Sequence, residues 1–250
     1  IYNETTGKGL LRHIVIKIGF KTNEIMCILV VNGVDIPNEA QIIEQIVNRF
    51  PNVKTIVKNI NTKNTNVILG QKNINIYGAG TISDKLGNLV FKISPLSFYQ
   101  VNPVQTEKLY SIGVEAAKIT NDDVVFDLYC GIGTISLFMA QYAKKVYGVE
   151  IVEQAVEMAK ENAKINGIDN VDFFAGDVEH VLDDFLEFQP DLVLLDIHLP
   201  FFDGYYWCQE IRKISQVPIV FISSANENMN IVLAMNMGGD DFINKPFDLQ

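Results

Sequence analysis

Several things are scarce in this sequence. Its 250 residues hold three cysteines, Cys27, Cys130 and Cys208, far apart and without paired spacing. That argues against a disulfide framework and against a structural zinc site. The longest uninterrupted apolar run, Ile25–Val31, falls far short of the ~20 residues of a membrane-spanning helix. No basic start followed by an apolar core and a small-residue cleavage site opens the chain, so no secretory signal is expected. Internal repeats and low-complexity segments are absent. Charged residues make only 20% of the chain against 48% apolar, enough to bury a core and too apolar for a disordered tail. The expectation is a soluble, cytoplasmic globular chain with no membrane partner, built as one large domain or two ordinary ones.

The net charge of −10 is unevenly spread. Residues 1–105 carry 11 Lys and Arg against 6 Asp and Glu, a balance of +5. Residues 106–250 carry 9 against 24, a balance of −15. Two functional regions follow, with any polyanion-binding surface on the first. A merely solvated basic surface is the plain alternative.

The pattern of residues also changes part-way. Segments 10–20 and 24–33 are strand-like and joined by Lys21–Asn23, 36–50 has helical spacing and ends at Pro51, and strands resume at 53–61 and 71–78. Residues 81–94 read as a hairpin turning at Leu86-Gly87-Asn88. This first region, 1–102, reads as a small α+β domain. From Pro103 a helix over 104–119 opens a β/α series. Its strands are 124–130, 145–151, 171–177, 191–197 and 218–224, and its helices 134–143, 152–166, 205–214 and 230–238. Nearly all-apolar strands alternating with helices predict an α/β fold, a Rossmann-like parallel sheet covered by helices on both faces. A ligand belongs at the carboxyl ends of such strands, at the switch point.

One constellation lies there. Asp127-Leu-Tyr129-Cys-Gly131-Ile-Gly133-Thr134 follows a buried strand and opens a helix. The glycines let a ligand approach the backbone, and the helix start offers amide donors. The next strand ends in Glu150, placed to grip ribose hydroxyls, and the third in Gly176-Asp177, where a carboxylate accepts from an adenine amino group. A single glycine pair, without the three-glycine dinucleotide fingerprint, favours a nucleoside ligand lacking a pyrophosphate, and S-adenosylmethionine is the natural candidate.

The stretches 127–140 and 147–182, with GKGLLRHIVIKIG and ISPLSFYQVNPVQTEKLY upstream, strongly resemble the bacterial RNA uracil-5 methyltransferases that act on 23S ribosomal RNA. The resemblance covers about residues 1–182. It makes residues 1–102 an RNA-contacting central domain and 103–182 the first half of an S-adenosylmethionine-dependent catalytic domain. It implies ribosomal RNA as partner and cofactor contacts from Gln100, Asp127, Tyr129, Gly131, Gly133, Thr134, Glu150 and Asp177. Relatives of this kind attack carbon 6 of a flipped uracil with a cysteine thiolate, which makes carbon 5 nucleophilic toward the methyl group. Cys130 lies in the cofactor turn, where the family's counterpart is not catalytic, and reads as a small packing residue.

Beyond about residue 182 the resemblance stops. The family continues through a strand ending Asp-Pro-Pro-Arg and another ending Ser-Cys-Asn-Pro, which carries the nucleophile, to a glutamate base. Here 183–250 resembles the second half of a response-regulator receiver domain, through Asp196, Pro200, Asp203-Gly204, Ser223, Gly239-Asp240-Asp241 and Lys245-Pro246-Phe247. That resemblance implies a phosphoacceptor Asp196 read by Ser223 and Lys245, with Mg2+ and a histidine kinase as partners and with Asp196 and Asp127 as metal ligands. The receiver's own first strand and acidic pair are missing. The chain therefore reads as a chimera joined near 178–190. Its strand 191–197 could pair with 124–130 and continue one sheet, which would also bring Asp196 to the cofactor set. Ser224 falls at the nucleophile's place, and serine stays protonated at neutral pH. Uracil methylation is therefore expected to be impaired. The alternatives are a two-component receiver module and a fused product without selected function.

Overall fold

The computed structural model describes residues 1–64, 66–176, 188–197, 203–223 and 228–244. The chain divides into two compact units, residues 1–85 with 90–98, and 86–89 with 99–250. The smaller unit is β-rich and the larger is α/β, as the residue pattern predicts.

The smaller unit holds a four-stranded sheet in the order β1-β2-β3-β4. Its strands are β1 (Leu11–Ile18), β2 (Ile25–Val31), β3 (Val53–Ile60) and β4 (Lys72–Tyr77). Helix α1 (Glu39–Arg49) connects β2 to β3, which is why those two run parallel while the outer pairs are antiparallel. Its Ile43, Ile46 and Val47 lie on one helical face and pack on Cys27, Leu29, Val53 and Ile56. Strands β5 (Ile82–Leu86) and β6 (Leu89–Ile93) form the expected hairpin, with Gly87 left-handed (φ 59°) in its two-residue turn.

Three cations of this region work inside the unit. Lys58 pairs with Glu39 at 2.7 Å. Arg12 donates to the Asn61 and Lys63 carbonyls at 3.0 and 2.8 Å. Lys17 donates to the carbonyls of Ser94 and Ser97 at 3.1 and 2.6 Å, and burial lowers its pKa to about 8.

The larger unit follows the order α2 (Pro103–Ala117), β7 (Val124–Leu128), α3 (Thr134–Met139), β8 (Lys145–Glu150), α4 (Glu153–Asn166), β9 (Val171–Ala175), β10 (Leu192–Leu195), α5 (Gly204–Ile214), β11 (Ile219–Ser223), α6 (Asn228–Asn236) and β12 (Asp241–Asn244). Among the described residues its sheet has six strands in the order β12-β11-β10-β7-β8-β9, every neighbouring pair parallel.

The anticipated pairing of 191–197 with 124–130 is present: Val193 stands opposite Phe126 and Leu195 opposite Leu128. Alternate residues of β7 point to opposite faces. Phe126 and Leu128 pack with Val193, Leu195, Phe221 and the α5 residues Trp207, Cys208 and Ile211, whereas Asp127 meets Ser136 of α3. Helices thus cover both faces.

Two elements differ from the sequence expectation. Helix α3 ends at Met139, four residues early. There Asn170 donates to the carbonyls of Ala140 and Ala143 at 2.8 and 3.0 Å, supplying from another turn the partners that further helix would have given. Strand β12 was not anticipated, being only four residues with no room for periodicity to show.

Candidate functional site

Strand β7 has β8 on one side and β10 on the other, so the strand order reverses beside it. The crevice outside its carboxyl end is where open α/β sheets take ligands. Chain leaving β7 there turns through three left-handed residues, Tyr129 (φ 68°), Gly131 (φ 58°) and Gly133 (φ 82°).

The two glycines answer different needs. A side chain on Gly133 would put its Cβ 2.8 Å from the Phe173 ring and 3.2 Å from the Ala159 Cβ, so this glycine lets the turn settle on α4 and β9. A Cβ on Gly131 would meet nothing within 4 Å, so that glycine faces open space. Tyr129 holds the same backbone region with a side chain, a conformation uncommon outside glycine.

Carboxylates brace this turn. Glu150, at the end of β8, is buried and accepts from the Gly131 amide at 3.0 Å through Oε2 and from the Val152 amide at 2.9 Å through Oε1. Each oxygen has a further lone pair for a ligand hydroxyl. Asp127 is 3% exposed and accepts from the Ser136 hydroxyl at 2.5 Å. That bond ties β7 to α3. Ser136 was not singled out from sequence, although its place two residues into the helix after Thr134 puts it within reach of β7. Thr134 Oγ1 lies 3.4 Å from the hydroxyl of buried Tyr110, whose pKa burial raises. Gln100 is half-buried, two residues before Asn102, whose side chain caps α2 by accepting from the Gln105 amide.

Cys130 is 7% exposed and gives its amide to the Val149 carbonyl at 2.9 Å. Burial raises its thiol pKa well above the usual value, and Asp127 and Glu150 raise it further. Such a shift favours the protonated thiol over the thiolate, which is the nucleophilic form. Cys27 and Cys208 are buried as well, and burial raises both their pKa values, that of Cys208 to about 11.

The second set of expected residues is more scattered. Asp196 is half-buried and follows directly on β10, one position beyond the Leu195–Leu128 pair. Asp203 caps α5, accepting from the Tyr206 amide at 2.9 Å. A Cβ on Gly204 would lie 2.2 Å from the Asp196 carbonyl oxygen, so glycine is required for that contact. Asp240 accepts from Arg212 at 2.7 Å and from the Ile219 amide at 2.8 Å. Ser223 is fully buried at the end of β11, opposite Asn244. Among the described residues no group of three or more His, Cys, Asp or Glu side chains is placed to hold a metal ion. Asp177, Pro200, Ser224, Lys245, Pro246 and Phe247 lie outside the described residues.

With that geometry in place, the chain can be set beside known proteins. A profile of the response regulator receiver domain matches residues 149–250, and one of the histone methylation protein DOT1 matches residues 102–188. Over 197 residues the chain is 51% identical to a protein of Clostridium acetobutylicum named an uncharacterized RNA methyltransferase, covering 78% of this chain and 43% of that one. A protein of the same designation from Staphylococcus aureus is 48% identical over 198 residues, covering 78% and 44%. The chain thus spans less than half the length of the curated relatives it matches. The crystal structure of the Pyrococcus abyssi tRNA (uracil-54, C5)-methyltransferase with S-adenosyl-L-homocysteine superimposes with a TM-score of 0.71 at 22% identity, over 96% of this chain and 56% of that one. That likeness establishes the fold.

Proposed function

We propose that residues 103–182 carry the nucleoside half of an S-adenosylmethionine site of the RNA methyltransferase type, with β10–β12 completing its sheet. The observation that carries this reading is the Glu150 carboxylate bonded to the Gly131 amide beside open space at the switch point. A carboxylate with lone pairs to spare, next to a glycine whose missing side chain leaves room, fits a ribose edge. The ~50% identity to relatives named RNA methyltransferases supports the substrate class. The cofactor would supply a methyl group on sulfonium sulfur. Glu150 would orient the ribose, Gly131 would admit it, and Thr134, Tyr129, Gln100, Asp177 and Asp196 would contact the rest. Residues 1–102 would contact RNA, a uridine of 23S ribosomal RNA being the finer expectation.

Carbon 5 of uracil becomes nucleophilic only after a thiolate adds at carbon 6. Each of the three cysteines of this chain is buried with a raised pKa. Binding without C5 transfer is therefore the reading for this chain. Calorimetric titration with S-adenosylhomocysteine tests it, with Glu150→Gln as control. Micromolar binding that the substitution weakens at least about tenfold is expected. No heat from a wild-type chain that melts cooperatively would overturn the site. Incubation with radiolabelled cofactor and ribosomal RNA tests the second half of the reading, and robust incorporation would overturn it.

The receiver-profile match over residues 149–250 favours a second reading, phosphorylation of Asp196 with Mg2+ by a histidine kinase. Stable label from acetyl phosphate, lost in Asp196→Asn, would support it. Against it, Asp127, the second metal ligand this reading needs, is 3% exposed and bonded to the Ser136 hydroxyl.

A further inference from the structure

The buried face of α4 consists of Val156, Ala159, Asn162 and Ala163. Asn162 is fully enclosed, 0% exposed. An asparagine is a poorer helix former than the alanines beside it, and burying a primary amide costs free energy unless it is hydrogen-bonded. Its Nδ2 donates to the carbonyl of Ile132 at 3.1 Å. Ile132 sits between Gly131 and Gly133, so the bond grips the middle of the turn built around the site.

The peptide unit linking Ile132 to Gly133 is planar, so its carbonyl and its N–H point in opposite directions. Its N–H donates to the Cys130 carbonyl at 2.9 Å while its oxygen is held by Asn162. Both ends are thereby fixed. Turning this unit over changes only ψ of Ile132 and φ of Gly133, and glycine takes positive and negative φ almost equally, so the backbone by itself does not fix the orientation. A reversed unit would lose both of these bonds and turn its oxygen toward the Cys130 carbonyl, forcing the glycine turn to rearrange. Gly131 gives the turn its openness, and Gly133 leaves the orientation of the next peptide unit to the hydrogen bonds at its two ends.

We propose that Asn162 is a positioning residue for the nucleoside site, holding the Ile132 carbonyl against α4 so that the glycine turn beside the open space at Gly131 keeps a single peptide orientation. The proposal rests on the cofactor site inferred above. It adds to that site a side chain that lies on a different element and need not touch the ligand.

The test compares the full chain carrying Asn162→Leu with Val156→Ala, a core truncation on the same helix face. Each is measured by thermal melting, by titration with S-adenosylhomocysteine well below its melting temperature, and by amide NMR of the ligand-free protein. Asn162→Leu should weaken binding about tenfold or more and split or broaden the Gly131 and Gly133 amide signals. Val156→Ala should lower the melting temperature yet leave affinity within about twofold and those signals single. Wild-type affinity with unchanged glycine signals in Asn162→Leu would overturn the proposal, as would losses of affinity that merely follow melting temperature in both variants. A wild-type chain that binds nothing would sink the proposed function instead, and the glycine signals of the free protein would still decide the Asn162 lock.

Discussion

The two halves of the six-stranded sheet put the same kinds of residue to different work. In the half built from β7, β8 and β9, Glu150 at a strand end braces a turn that faces open space. In the half built from β10, β11 and β12, Asp203 caps a helix and Asp240 joins Arg212 to the start of β11. An aspartate or glutamate at a strand end is therefore not chemistry in itself. What distinguishes the halves is whether the adjoining backbone is held open by residues such as Gly131 or closed by contacts such as that between Gly204 and the Asp196 carbonyl.

The seam between the halves also shows how little a parallel ladder asks of sequence. Val193 opposite Phe126 and Leu195 opposite Leu128 need only backbone hydrogen bonds and apolar side chains of suitable volume. Breaking that seam should have the largest effect. Val193 is fully buried, so Val193→Asp should cost ~4 kcal/mol or more and abolish the cooperative melting of the larger unit, read by circular dichroism. Melting like that of wild type would mean that the halves fold apart.

Glu150→Gln should separate the halves by function. The amide can still accept from one of the two backbone donors but not from both. Binding of S-adenosylhomocysteine should fall about tenfold or more while stability changes by ~1 kcal/mol. Asp240→Ala is the mirror experiment. Its carboxylate is more than half exposed, so the ion pair with Arg212 is largely screened by solvent. The loss should be ~1 kcal/mol, mainly from the Ile219 amide bond, with ligand affinity unchanged. A change in affinity would show that the second half reaches into the site.

The smallest effect concerns one thiol from each half. The Cys208 pKa is raised to about 11 by burial, with Arg212 opposing and Asp240 adding to the shift, and burial raises that of Cys130 well above its usual value. At pH 8 neither should react with iodoacetamide in the native state, and labelling of Cys208 should increase toward pH 11. A raised pKa means that the folded chain keeps a proton which the unfolded chain releases, so stability falls as pH rises from about 9 to 11. Cys208→Ala should flatten part of that fall in a denaturant series. Rapid labelling of Cys130 at pH 8 would contradict the buried environment described for it.

Much of this was legible from residues alone, wherever the cause is local. The hairpin around Gly87, the β7–turn–α3 unit around Gly131 and Gly133, and the ends of α4 follow from glycine placement and apolar period within a few residues. The closeness of the glycine turn and Glu150 was legible for the same reason, because chain order places them at consecutive strand ends. The uses of the remaining polar residues were not. Asp127 was expected among the cofactor contacts, and only the packing of α3 on β7 shows Ser136 bonded to it. Asn162 carries no sequence signal beyond being polar on an apolar face, since its partner Ile132 is 30 positions away. The end of α3 was decided by Asn170, and β12 by the free edge of β11. The sequence by itself determined the elements, the turn and the apolar faces, because those depend on torsions and periodicity between near neighbours. Tertiary structure alone decided which polar side chains tie one element to another, Ser136 to Asp127 and Asn162 to Ile132, because those depend on contacts between segments that local pattern cannot bring together.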